Sequence, residues 1–170
     1  MLFARADASQ QRARELFHGM GADLDHVDVT IDLTSIRSHC AIYEDETIEV
    51  TIGLGVQFGS FFRGAVLDWF TVHEFAHAWW FTVEDRLSRR DCQKWVDLFG
   101  GVDEVSQVCV GWNPLGKYPP TEFVSWYATT SSHEDFAETT ASLLMGNEAG
   151  NPVGLRRKKA DFIEYLLNKY

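Results

Sequence analysis

Residues 65–83 constrain this chain most. Val66, Trp69, Phe70, His73, His77 and Trp80 recur there at steps of three and four. That period predicts an amphipathic α-helix. Inside it, TVHEFAHAWW (71–80) carries His-Glu-x-x-His. Positions i and i+4 stand one above the other on a helix face, so His73 and His77 can offer imidazole nitrogens to one ion. Glu74 is turned about 100° from His73, because a helix has 3.6 residues per turn. It stands beside such an ion, where a carboxylate can take a proton from water that the ion activates. The alternative is a helix whose histidines are satisfied in the core.

A catalytic zinc has three protein ligands and an open fourth position. Glu84 shares a face with His77 but lies about 10 Å further along the helix. Zinc–ligand bonds are near 2 Å, so the third donor must come from elsewhere. SSHEDFAETTASLLMG (131–146) is the best source. Glu134 and Glu138 are spaced i, i+4 on one face of a predicted helix, and Phe136, Ala137, Ala141 and Leu144 can pack it on the first. Glu134 can reach the ion. Glu138, one turn on, can accept a hydrogen bond from the second nitrogen of a ligand histidine, which fixes its tautomer. The alternative for both is a solvated acidic first turn favoured by the helix dipole. His133 points about 100° away from Glu134 and is the lesser candidate. Asp135 reads as an N-terminal helix charge, and Trp79 and Trp80 read as core.

Around these segments the pattern predicts a β-rich N-terminal third followed by helices, hence an α+β fold. A short helix is expected over 8–19, closed by Gly19 and Gly21. VDVTIDL (27–33) alternates as a half-buried strand does. HCAIY and ETIEVTIGL read as a hairpin turning at 43–46. A helix starts at Ser88 with Asp91 three residues on and stops before Gly100. Another is expected from Ser131 or Ser132 to Gly146, and a last one from Pro152. GWNPLGKYPP reads as a loop.

With 170 residues and 45% apolar content, a single domain spanning 1–170 is expected. The net charge of −10 argues against a nucleic-acid partner. The one basic run, RRKK at 156–159, reads as a solvated helix face. No stretch is long and apolar enough to predict a membrane span. The three scattered cysteines fit reduced thiols better than a disulfide framework, with one disulfide and one free thiol as the alternative. MLFARADASQQRARELF shows no apolar signal segment, so a cytoplasmic location, or export without a recognisable signal peptide, is expected. No G-x-S-x-G, P-loop or dinucleotide fingerprint is present.

HEFAH followed at a distance by EDFAE resembles the gluzincin metallopeptidases, whose third ligand is a glutamate on a second helix. The long gap and the run FVSWYATTSSHEDFAE are similar to the anthrax lethal factor-like and related minimal gluzincins. The gap is longer than in thermolysin-type enzymes, and the resemblance covers roughly residues 65–146. It implies a zincin-like fold and a zinc-dependent peptidase acting on a peptide or protein substrate. It further implies that His73, His77 and Glu134 bind Zn2+, that Glu74 is the general base, and that Tyr127 polarises the substrate carbonyl. The N-terminal half would then offer the edge of IEVTIGL to an extended substrate. The rival readings are a catalytically silent zincin-like domain acting as a protein-interaction module, and a metal hydrolase acting on something other than peptides.

Overall fold

The computed structural model describes residues 2–32, 39–42, 48–53, 65–84, 86–99, 118–146 and 153–170. In order these form α1 (Leu2–Gly19), β1 (Asp28–Asp32), β2 (His39–Ile42), β3 (Ile48–Gly53), α2 (Ala65–Glu84) and α3 (Arg89–Phe99). Two 3-10 turns (Pro120–Glu122, Tyr127–Thr129), α4 (Ser132–Met145) and α5 (Gly154–Leu167) follow. The class is α+β, as expected. The chain gathers into two compact units, residues 1–81 and 82–170.

In the first unit, α1 begins well before the expected residue 8. It ends where Gly21 turns to φ 90°. The Gly21 N–H donates to the His18 carbonyl and the Ala22 N–H to the Phe17 carbonyl, each at 3.0 Å. These are the two bonds of a Schellman ending, which a residue without Cβ accepts without strain. The Arg14 guanidinium then donates to the carbonyls of Leu24 and Val27, the second at 2.7 Å. Its charged plane lies 5.3 Å from the centre of the Phe75 ring. One side chain thus fixes the chain entering β1 and packs on α2.

The sheet has the order β1-β3-β2. The expected hairpin pairing is present: β2 and β3 are antiparallel, with Cys40 opposite Val50 and Ile42 opposite Ile48. The turn expected at 43–46 lies outside the described residues. β1 pairs with β3 in parallel, Val29 opposite Val50. That corrects the expectation for IEVTIGL: β3 is the central strand, with both edges taken, and cannot accept an added strand. Ile48 and Val50 bury their side chains in the core of this unit, together with Phe17, Leu24, Val27, Val72, Phe75 and Trp79.

Helix α2 also departs from expectation. Thr71 to Trp80 are all buried apart from the half-buried His77, whereas Val66 and Phe70 are exposed. It is an interior helix along that stretch rather than an amphipathic surface one, and Trp79 and Trp80 are core as expected. Among the described residues no helix is long and apolar enough to cross a membrane.

The second unit packs α3, α4 and α5 on aromatic side chains. Trp95 stacks on Phe162 at 5.8 Å and meets Phe136 edge-on at 5.3 Å. Its indole N–H donates to the Ser132 carbonyl at 3.0 Å, which satisfies the one polar atom of a buried tryptophan. Cys92 is held in a disulfide, so the thiols are not all reduced and the alternative of one disulfide is the one met.

Helix α3 starts as the Ser88 signal predicts. The Ser88 hydroxyl accepts from the Asp91 N–H at 3.1 Å and donates to its carboxylate at 2.8 Å. Burial would push the Asp91 carboxyl up. Lys169 at 2.7 Å, with Ser88 and Tyr165, more than offsets this and holds it below the usual carboxylate range. A carboxyl depressed in the fold contributes stability above its unfolded pKa, and that contribution is lost as pH falls through the lower folded value. Asp91→Asn is therefore expected to lower stability at pH 7 by about 1–2 kcal/mol. It should also flatten the loss of stability below pH 4, as chemical denaturation across pH 2–7 would show.

Candidate metal centre

Helix α2 sets two of the three donors. One turn of helix separates His73 from His77, and their rings meet nearly at right angles, with centroids 4.8 Å apart. The two Nε2 atoms lie 3.1 Å from each other. Helix α4 sets the third. Ser131, in extended conformation, caps it: the Ser131 hydroxyl accepts from the Glu134 N–H at 3.1 Å. Gly146 closes the other end at φ 63°. Both boundaries are those that the sequence predicts.

His73, His77 and Glu134 form one group that can hold a metal ion: a ligand atom from each lies within 4.8 Å of the others. His73 is buried, and the other two are half-buried. Zinc with bonds of about 2.0–2.1 Å requires tetrahedral ligand atoms about 3.3 Å apart. The histidine pair already meets that spacing at 3.1 Å. Two imidazoles and one carboxylate are also a donor set that catalytic zinc uses. The residues present therefore fit such an ion. His133 is not a member of the group, and neither is Glu84.

The remaining expected site residues are placed as follows. Glu74 follows His73 on α2 and is only 6% exposed. Glu138 lies one turn beyond Glu134 on α4 and is buried. Tyr127 opens the 3-10 turn that precedes α4 and is 51% exposed.

Asp135 is the N-terminal charge of α4 that the sequence predicts, but it is buried, and Lys159 lies buried rather than on the expected solvated face. Asp135 is 0% exposed and Lys159 is 1% exposed, and they form an ion pair at 2.8 Å. Burial pushes the Asp135 carboxyl up to about 6, although Lys159 opposes it. Burial likewise pushes the Lys159 ammonium down, against the attraction of Asp135. The solvated-face reading does hold for Arg157, which pairs with Asp161 at 2.6 Å on the surface of α5. The missed signal is periodicity. Lys159 falls in step with Phe162, Ile163 and Leu166, and Asp135 with Thr139 and Ser142, all on buried faces.

Comparison of the chain with protein-family models, with characterised proteins and with solved structures finds no match. The functional reading accordingly rests on the site.

Proposed function

We propose that this chain is a zinc-dependent peptidase. One observation carries the reading. Three donors of a catalytic zinc set lie within 4.8 Å of one another, and Glu74 adjoins the first of them. In this reading His73, His77 and Glu134 hold the ion. When bound, zinc supplies Lewis acidity: it polarises a carbonyl and acidifies water to a pKa of about 7.

The other groups are the chain's own. Glu74 takes the proton of the attacking water and returns it to the departing amine, so one carboxylate serves as base and then as acid. Burial suits this role, since a carboxylate shielded from bulk water passes its proton to the reacting atoms rather than to solvent. Tyr127 donates a hydrogen bond to the oxyanion that develops on the substrate carbonyl. Its exposure leaves it accessible to a substrate. Glu138 orients a ligand histidine. The substrate is a peptide or protein, and the charge of −10 speaks against a nucleic acid.

The experiment is cleavage of a peptide library by the purified chain, with and without a chelator. Cleavage that a chelator abolishes and added zinc restores is the expected result. A folded, zinc-loaded chain that cleaves no peptide would overturn the peptidase reading and leave a metal-binding module or a hydrolase of another substrate class.

A further inference from the structure

We propose that the buried Lys159–Asp135 pair is a positioning device for the metal ligand. It locks α4 against rotation about its own axis, so that Glu134 is presented correctly before any ion arrives. This rests on the zinc reading above.

The pair is anchored on several sides. Lys159 reaches from α5 and also donates to the Glu122 carbonyl at 3.4 Å, with its ammonium 3.6 Å from the centre of the Phe123 ring. The Glu122 carboxylate accepts from the Leu155 N–H at 3.1 Å, which ties the start of α5 to the same 3-10 turn. Asp135 accepts a further bond from the Thr139 hydroxyl at 3.3 Å. Its N–H donates to the Ser131 carbonyl at 3.0 Å. Together with the Trp95 bond to Ser132, these contacts fasten the first turn of α4 to α3, to α5 and to the Pro120–Glu122 turn.

Desolvation makes such a pair a poor source of stability, since apolar residues of equal volume commonly do as well. Direction is what it adds. Apart from Phe136 and Glu138, the buried face of α4 is otherwise built from small side chains such as Ala137, Thr140 and Ala141. Small side chains of this kind set the angle of the helix less sharply than a directional ion pair does. A rotation of about 20° sweeps a group about 6 Å from the helix axis through about 2 Å. Zinc–ligand bonds tolerate only about 0.2 Å. Glu134 is the next residue to Asp135, so fixing one side chain sets the phase of the other.

Two double variants test this. Asp135→Ala/Lys159→Met removes the link and leaves no orphaned charge. Asp135→Asn/Lys159→Gln keeps a hydrogen bond without charge. Zinc affinity is measured by chelator competition, and folding by circular dichroism and thermal melting. The apolar pair is expected to fold and bind zinc about 10–100-fold more weakly, as loss of an outer-shell support does. The amide pair is expected to stay within about threefold of the parent. A folded apolar pair with parental affinity, or an equal loss in both variants, would refute the device.

A measurement on the parent chain decides the matter if the apolar pair does not fold. Without metal, the Glu134 and Asp135 amides should already exchange at least about a thousandfold more slowly than unprotected ones. Near-unprotected exchange that zinc then slows would mean that the metal orders the turn, against the proposal. If the parent binds no zinc at all, the zinc reading itself fails, which is a separate outcome.

Discussion

Glu74→Gln is expected to keep its zinc and to lose peptide hydrolysis by about 10²–10⁴-fold, the usual contribution of a positioned general base. The substitution preserves shape and removes only the ability to take a proton. Glu74 is buried within α2, so an isosteric amide is the mildest probe of that site. Metal content, circular dichroism and cleavage rate would be measured on one preparation. Intact zinc with parental cleavage would remove Glu74 from the mechanism. Loss of zinc would instead mark Glu74 as a ligand.

Glu134→Ala should behave in the opposite way, losing metal first and activity as a consequence. Removing a direct donor should weaken zinc binding by more than the roughly 10–100-fold that outer-shell changes produce. The fold should survive, because Glu134 is only half-buried and its backbone N–H keeps the Ser131 cap. Chelator competition checks this directly. Parental affinity in the folded variant would show that the third donor is another group.

The two substitutions divide the site by chemistry. One separates proton transfer from binding, and the other removes the binding itself.

Much of this was legible in the sequence where local chemistry marks it. Ser131 and Gly146 bound α4 because a hydroxyl can cap a helix start and glycine accepts the left-handed turn at its end. The His73–His77 spacing and the β2–β3 pairing follow from the periods of helix and strand. The parallel pairing of β1 with β3 was not legible, since partner choice between distant strands leaves no local trace. The early start of α1 was not legible, because Asp7, a residue type that often caps a helix, lies inside the helix instead. Helix α5 starts at Gly154, near the expected Pro152, which itself lies outside the described residues. The Asp135–Lys159 pair was hidden because charged residues are rarely buried unless paired, and the pairing joins two separate helices.

The most direct measurement is anomalous diffraction at the zinc edge from crystals of the zinc-loaded chain. A three-donor centre requires one peak within about 2.0–2.2 Å of His73 Nε2, His77 Nε2 and a Glu134 carboxylate oxygen, with a fourth position left to solvent. A zinc peak elsewhere, or one on the histidines with Glu134 beyond bonding distance, would contradict it.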